Sequence, residues 1–238
     1  MHQKQNFSYH SFADDTNILV SSSDLNELNS KLNSVLCCIS ICFQNNQLVL
    51  NLNKTHTVKF ASSKILTYPL NTVYNNQALT VTENIKFLGM HLNCNLTWKS
   101  HTDNLIKKLI SISFMFRKLL PIVNGKVIHM VDLAHFYSHI SYHIIFWGLS
   151  SSMRNVFIVQ KRAIRIMLRL GRRSFCREVF KKLDILTFPC LYIYSLMLFA
   201  VKNLNIYPPN SSVHGMTTRQ ENKLRIPSVR LSSIQRGV

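Results

Sequence analysis

Two adjacent carboxylates, Asp14 and Asp15, are the first residues of the chain whose type and spacing could do chemistry. They follow Phe12 and Ala13 and precede the apolar run Ile18 to Val20, so the pattern predicts a strand, a tight turn and a second strand. Two carboxylates at a hairpin tip are costly to bury together and attract a hard divalent cation. Beside a nucleic acid, such ions serve two-metal phosphoryl transfer. An Asp-Asp pair also occurs as an ordinary turn, so the pair alone leaves both interpretations open.

A second group of candidates is basic. Lys161, Arg165 and Arg169 recur at every fourth position with Arg162 beside them, so on a helix they predict one stripe whose spacing suits duplex phosphates. Contacts of this kind give affinity without reading base sequence. Other basic residues extend the charge: Lys107, Lys108, Arg117, Lys118, Arg172 and Arg173. The alternative is a set of solvated charges on an amphipathic helix.

The charge of the chain is concentrated in its middle. The whole sequence has 28 Lys and Arg against 10 Asp and Glu, a net +18 with histidine neutral. Residues 1–98 hold six basic and five acidic residues, residues 99–182 hold sixteen and three, and residues 183–238 hold six and two. The middle segment therefore carries 16 − 3 = +13. Such clustering favours phosphate backbones or an anionic membrane surface, and of these we favour nucleic acid.

Cysteine and histidine spacing argues against a structural metal site. The six cysteines contain no C-x-x-C pair, which favours reduced core residues of an intracellular protein over a zinc ribbon or a disulfide scaffold. His135, His139 and His143 step by four, but no carboxylate or cysteine completes a zinc set around them. We therefore expect these histidines to be core or surface residues, and Trp98 and Trp147 to be packing anchors.

A membrane protein is also not predicted. The longest apolar run, Phe188 to Val201, contains Pro189 and Ser195 and is too short for a membrane span. The first residues are polar and lack the apolar stretch of a signal peptide. We expect no membrane partner.

The elements that must position these residues follow from periodicity. Apolar residues from Leu25 to Phe43 recur at helical spacing, with Asp24 as a cap and an end near Asn46. Short strands are predicted at Leu48 to Asn53 and Thr57 to Phe60, and a hairpin between Leu79 to Val81 and Ile85 to Leu92. Beyond Trp98 the predicted elements are a helix through Leu105 and Phe116 stopped by Pro121, then helices at Val127 to Ile145, Phe157 to Leu170 with Gly171 as its stop, Ser174 to Lys182, and Phe188 to Asn203, the last buried on several sides.

Seven segments follow one another in a recognisable order. They are Phe12-Ala13-Asp14-Asp15, Leu48 to Thr55, Lys86-Phe87-Leu88-Gly89, Leu96-Thr97-Trp98-Lys99-Ser100-His101, Tyr142 to Gly148, Gln160-Lys161-Arg162-Ala163 and Thr218-Arg219. In this order and spacing they resemble the reverse transcriptases of jockey-like non-LTR retrotransposons. The resemblance extends over almost the whole length of the chain.

The resemblance implies roles for several residues. Asp14 and Asp15 would belong to the catalytic aromatic-Ala-Asp-Asp box and hold Mg²⁺ or Mn²⁺. Lys54 would place a cation near the incoming triphosphate, although a plain surface lysine is the alternative. Lys86 and Gly89 would belong to the hairpin that grips the primer, where glycine lets a backbone approach; a strand bulge is the alternative. The implied partners are an RNA template and a DNA primer, or their hybrid, in the nucleus and cytoplasm.

The resemblance also implies an α+β fold with a defined order of parts. A partial polymerase palm of β-hairpins and a helix would occupy residues 1–95, an all-α thumb residues 96–171, C-terminal helices residues 172–206 and a poorly ordered tail residues 207–238. In the family, the fingers and a third metal-binding aspartate precede the Asp-Asp box, where this sequence has eleven residues before Phe12. We therefore expect the isolated chain to be inactive. His143 stands where the family usually has glycine, which bears on a turn or a close packing contact rather than on chemistry.

The sequence thus supports three hypotheses. The first is a fragment of an RNA-directed DNA polymerase. The second is a non-catalytic, basic helical nucleic-acid-binding protein derived from such an element, and the third is a decayed copy.

Overall fold

The structure, a computed structural model, describes residues 7–12, 15–60, 70, 72–74, 77–207, 209–212, 219 and 223. The chain divides into two compact units, Met1–Leu96 (unit 1) and Thr97–Val238 (unit 2). The described part of unit 1 has small sheets and one long helix, and that of unit 2 is helical, which agrees with the α+β class at a coarse level. The assignment of the units to a palm and a thumb stays a prediction. Most of the predicted tail lies outside the described residues.

Unit 1 opens with an antiparallel hairpin. Strand β1 (Phe7–Phe12) pairs with β2 (Asp15–Val20), so that Phe12 lies opposite Asp15. This confirms the two predicted strands, and the first strand begins five residues before Phe12. The predicted turn at Ala13 and Asp14 lies outside the described residues. The register places Asp15 at the end of the hairpin where the chain reverses.

A long helix, α1 (Leu25–Asn45), follows the hairpin as the sequence predicts. The Asp24 carboxylate accepts a hydrogen bond from the Glu27 backbone N–H at 2.9 Å, which satisfies one of the amides that a helix start leaves without a partner. Its apolar residues lie only partly covered, and Ser40 is its one buried residue.

The remaining strands of unit 1 are short. They are β3 (His56–Thr57), β4 (Val73–Tyr74), β5 (Gln77–Ala78), β6 (Thr80–Val81), β7 (Asn84–Phe87) and β8 (Met90–Asn93), paired as parallel β3–β6 and antiparallel β4–β5 and β7–β8. The predicted strand over residues 48–53 is wrong, because a 3-10 turn occupies Leu52–Lys54. The predicted hairpin between residues 79–81 and 85–92 is also wrong. Leu88 and Gly89 both have positive φ, 42° and 81°, and turn β7 directly into β8.

Unit 2 begins with α2 (Lys99–Leu119), which ends two residues before Pro121 as predicted. The other helices are α3 (Gly125–Val131), a π segment (Asp132–Tyr137), α4 (Ser138–Ser141), α5 (Ile144–Trp147), α6 (Met153–Met167), α7 (Arg177–Lys182) and α8 (Phe188–Lys202). No described helix is long and apolar enough to cross a membrane.

The helix predicted over residues 127–145 is interrupted twice. The π segment separates α3 from α4, and His143 then adopts a left-handed conformation, φ 50° and ψ 27°, before α5. The Trp147 indole N–H donates to the Tyr142 carbonyl at 3.0 Å across this break. One continuous periodic pattern in the sequence therefore corresponds to three shorter helices.

Helix α6 also ends earlier than predicted. The expected stop was Gly171, but the helix ends at Met167 and Arg169 takes the left-handed conformation with φ 53°. The Leu170 N–H then donates to the Arg165 carbonyl at 2.8 Å, closing the last turn.

The core of unit 2 lies between α2, α6 and the helices that join them. Phe116, Trp147 and Phe188 are completely buried, and Trp98 is also buried, so both tryptophans are packing anchors as predicted. The rings of Trp147 and Phe188 lie 5.6 Å apart, which joins α5 to the start of α8. Burying side chains of this size contributes roughly 1.5–3 kcal/mol each.

Two expectations about burial are wrong. In α8 only Phe188 and Leu191 are buried, because no described element covers the outer side of the helix beyond its first turns. The cysteines are free thiols as expected, but only Cys176 is buried, and four of the six are exposed. An apolar pattern identifies a helix more securely than it identifies what covers the helix.

Candidate nucleic-acid interface

The structure describes one of the two predicted metal ligands at the β1–β2 hairpin. Asp15 is the first residue of β2 and is exposed, whereas Asp14 lies outside the described residues. Among the residues that the structure describes, no group of three or more His, Cys, Asp or Glu side chains could hold a metal ion. The described part of the chain therefore contains one exposed carboxylate at the hairpin and no complete ligand set.

Lys54 is the last residue of the 3-10 turn Leu52–Lys54 and is exposed. The turn is held by the Asn51 carbonyl, which accepts from the Lys54 N–H at 3.1 Å and from the Thr55 hydroxyl at 2.8 Å. Within the described residues, the Lys54 ammonium has no ion pair. The local turn thus presents this lysine to solvent.

The predicted primer-grip residues lie on the β7–β8 hairpin. Lys86 is an exposed residue of β7 opposite His91, and Gly89 is the second residue of the turn. Gly89 is therefore neither a strand residue nor a bulge. Its φ of 81° is the conformation that glycine adopts at least cost, which gives it a structural reason independent of any ligand.

Unit 2 presents most of its cations to solvent. Fourteen of the sixteen basic residues between Lys99 and Lys182 are exposed: Lys99, Lys107, Lys108, Arg117, Lys118, Lys126, Arg154, Arg162, Arg169, Arg172, Arg173, Arg177, Lys181 and Lys182. On α2 the buried face runs through Leu105, Leu109 and Phe116, so Lys107 and Lys118, eleven residues apart, share the opposite face. The Lys118 ammonium lies 5.5 Å from the Phe114 ring on that face.

The predicted stripe on α6 is only partly available. Arg162 is exposed, but the Arg165 Nε donates to the Ser174 carbonyl at 2.9 Å. Arg169 lies beyond the helix and its guanidinium donates to the Leu120 carbonyl at 2.8 Å, where it caps the end of α2. The Lys161 ammonium lies 4.5 Å above the Phe157 ring. Two of the four predicted phosphate ligands therefore hold backbone carbonyls.

One outward cation of α6 was missed by the sequence prediction. Arg154 is exposed and precedes Arg165 by eleven residues, or three helical turns, so both project from the same face. The signal was present in the sequence, but the helix was predicted to begin at Phe157 and starts at Met153.

The carboxylates of this segment do little to offset its charge. Glu178 pairs with Lys181 at 3.4 Å, and Asp103 is exposed on α2. Asp132 is buried, and burial raises its carboxyl pKa from 3.8 to about 7. A fraction of Asp132 is consequently neutral near physiological pH, so the surface field is set almost entirely by cations.

The three histidines do not converge on a metal site in the described structure. The His139 Nδ1–H donates to the His135 carbonyl at 2.7 Å, and His135 is exposed. His143 packs its ring edge-on against Tyr142 at 4.1 Å. These contacts fit surface and packing histidines.

Two residues of the segments that carry the family resemblance, Gln160 and Gly148, have structural roles that the sequence did not reveal. Gln160 is buried, and its side-chain amide donates to the Leu186 carbonyl at 2.9 Å and accepts from the Phe188 N–H at 2.7 Å. It thereby satisfies one backbone group just before α8 and one at its first residue. A Cβ added at Gly148 would meet the Tyr192 ring and lie 2.5 Å from the Ile144 carbonyl oxygen.

Comparisons of the chain with protein-family models, curated proteins and solved structures find no match.

Proposed function

We propose that the chain is part of an RNA-directed DNA polymerase of the non-LTR retrotransposon type, and that unit 2 holds nucleic acid by its phosphates. The observation that carries the second statement is the exposure of fourteen of the sixteen basic residues in residues 99–182. A carboxylate-rich ligand would also suit such a surface. A phosphate backbone suits it better, because its evenly spaced charges can contact cations spread over several helices. Its condensed counterions are released when those contacts form, which favours binding.

The geometry of the cations supports contact with a strand rather than a single anion. Lys107 and Lys118 are separated by eleven residues of α2, about 16 Å, and the exposed Arg154 and Arg162 by eight residues of α6, about 12 Å. Helices α2 and α6 pack against one another. An extended polyanion can reach several of these cations at once, and a small anion cannot.

Local backbone features support the polymerase lineage. The recognised Tyr142 to Gly148 segment has His143 in a left-handed conformation, where the family has glycine. Gly148 in the same segment packs too closely against Tyr192 and Ile144 for a side chain. Glycine would be favoured by the backbone conformation at position 143 and by the lack of space for a side chain at position 148, as the family pattern has it.

The metal chemistry implied by the lineage would use Asp14 and Asp15 with Mg²⁺ or Mn²⁺. Carboxylate oxygens are suitable ligands for these hard cations, and Asp15 is exposed at the end of the hairpin. When bound, such ions neutralise developing phosphate charge. Two aspartates alone would leave each ion with few protein ligands, so the described residues do not form a complete centre.

A non-catalytic nucleic-acid-binding protein is the second candidate. It is favoured by the self-contained core of unit 2, since the exposed cations lie on helices that are packed within that unit. Because the isolated chain is expected to be inactive under either candidate, primer extension on an RNA template separates them only when the chain replaces the matching part of an intact polymerase of the family. Extension by that chimera that is lost in Asp15→Asn supports the polymerase, and nucleic-acid binding by a chimera that extends no primer supports the second candidate.

Binding itself is tested by its salt dependence. The full chain, kept in solution as a fusion with a soluble carrier, is titrated with fluorescent RNA, DNA and RNA–DNA hybrid. If about five phosphates are neutralised, log affinity falls against log salt with a slope of roughly −3.5 to −4.5. The triple variant Lys107→Gln, Arg154→Gln, Arg162→Gln should flatten the slope by roughly two to three.

A matched variant controls for net charge. Lys202→Gln, Arg219→Gln, Lys223→Gln removes three exposed cations outside residues 99–182. It should leave the slope nearly unchanged. Equal effects of the two triple variants would show that total charge, and not this surface, determines binding.

A further inference from the structure

The loop between α6 and α7 carries an aromatic side chain in full contact with solvent. Phe175 is 96% exposed, more than any other large apolar residue in the described part of the chain. Its two neighbours are fixed. The Ser174 carbonyl accepts from the Arg165 Nε at 2.9 Å, and Cys176 is buried with its thiol 3.8 Å from the Lys161 carbonyl oxygen.

These contacts hold the loop on both sides of the ring. The Ser174 N–H also donates to the Gly171 carbonyl at 3.1 Å, which closes a tight turn ahead of Phe175. Contacts with α6 and the tight turn fix the backbone on both sides of Phe175. The exposure of the ring therefore follows from the geometry of the loop.

Three guanidinium groups surround this ring in sequence. Arg173 and Arg177 lie two residues on either side of Phe175, and Arg172 precedes them; all three are exposed. Two residues of extended chain span about 7 Å. None of the three has an ion pair among the described residues, where the nearby carboxylate of Glu178 pairs with Lys181.

The combination selects the chemistry of the ligand. An exposed aromatic ring gains when a flat apolar face covers it, and arginines two and three residues away in sequence favour a ligand that also carries anionic groups. An unpaired nucleobase with its adjoining phosphates supplies both. An apolar protein pocket would need an acidic rim to do the same.

We propose that Phe175 stacks on an unpaired base of a single-stranded nucleic acid, while Arg172, Arg173 and Arg177 hold the neighbouring phosphates. This inference rests on the proposed function and deepens it, because it adds an unpaired segment to the phosphate contacts of α2 and α6. Within a base-paired duplex both faces of each base are already covered, so the stacking contact is specific to unpaired strands.

The test uses the full chain as the carrier fusion and oligothymidine as the probe. Trp98 and Trp147 are buried, so the variant F175W introduces one exposed tryptophan into the chain. Stacking of a base on this side chain should quench its fluorescence. Phe175→Ala should weaken binding of oligothymidine by roughly five- to 150-fold, the range for one stacked base. It should not change the salt slope, whereas Arg172→Gln, Arg173→Gln, Arg177→Gln should flatten it by roughly two.

Two controls make the outcome decisive. Phe199→Ala removes another exposed aromatic residue, on α8, and should leave affinity unchanged. A fully complementary, blunt-ended DNA duplex has no unpaired base, so Phe175→Ala should leave its affinity unchanged as well. If Phe175→Ala weakens binding to this duplex as much as to oligothymidine, or to neither, the stacking contact is wrong while phosphate binding stands. If the unaltered fusion binds no nucleic acid, the proposed function itself fails; selective binding of an acidic peptide by Phe175 would then assign the loop to a protein partner.

Discussion

Unit 1 and unit 2 differ in how completely they bury their apolar side chains. Among the described residues, four buried apolar side chains belong to unit 1 and nineteen to unit 2. Unit 1 arranges its strands in two-stranded sheets, which bury little by themselves. Unit 2 packs α2 and α6 around completely buried Leu109, Phe116 and Ile164. Most of the exposed cations of unit 2 therefore lie on helices that pack on a large apolar core, whereas the β1–β2 hairpin belongs to a unit whose described residues bury few apolar side chains.

The largest expected effect is a difference in local stability between the units. Local opening costs least where few apolar contacts are buried. In hydrogen exchange followed by mass spectrometry on the carrier fusion, amides of α2 and α6 should exchange at least about 100-fold more slowly than amides of α1 and the β1–β2 hairpin. Equal protection in α1 and α2 would show that the thin core of unit 1 does not limit its stability.

The buried carboxyl of Asp132 is expected to reduce the stability of unit 2 when it is ionised. The carboxyl pKa is raised to about 7 by burial, so the folded state keeps a proton that the unfolded state loses from about pH 4 upward. Stability therefore falls as the pH rises between these two values. Asp132→Asn should stabilise unit 2 by roughly 2–4 kcal/mol at pH 8 and by much less at pH 4, as measured by denaturant melts. Destabilisation at pH 8 would instead reveal a partner that needs the carboxylate.

Gly148 tests the close packing of α5 on α8. A Cβ there would lie 2.5 Å from the Ile144 carbonyl oxygen and would press on the Tyr192 ring. Gly148→Ala should therefore cost about 1–3 kcal/mol in the same melts. Gly125→Ala is the matched control, because a Cβ at Gly125 meets nothing within 4 Å. Equal stability of the two variants would contradict the packing account.

The comparison also separates what the sequence could predict from what it could not. Helix α1 and its Asp24 cap depend on residues that are close in sequence, so they were predicted to within a residue or two. The parallel pairing of β3 with β6 joins segments more than twenty residues apart, and no local pattern indicates it. The same limit applies at the site. The basic character of α6 was readable, but the contacts of Arg165 with Ser174 and of Gln160 with Leu186 depend on the folded chain.

Arg169 gives the smallest effect and sharpens the division of roles among the cations. Because its guanidinium caps the Leu120 carbonyl, Arg169→Gln should cost about 1 kcal/mol of stability. It should change the salt slope of binding less than Arg162→Gln does, since Arg162 is exposed on α6 and holds no described carbonyl. A larger loss of slope for Arg169→Gln would make Arg169 a phosphate ligand after all.

Nucleic-acid binding by unit 2 is tested most directly by mapping which residues of the chain contact the nucleic acid. The carrier fusion is bound to an RNA–DNA hybrid with photoreactive groups on its backbone, irradiated, and the cross-linked peptides are identified by mass spectrometry. Cross-links should be concentrated in residues 99–182. They should be lost in the Lys107→Gln, Arg154→Gln, Arg162→Gln variant but kept in the Lys202→Gln, Arg219→Gln, Lys223→Gln control. Cross-links concentrated in residues 15–60, with few or none in residues 99–182, would contradict nucleic-acid binding by unit 2.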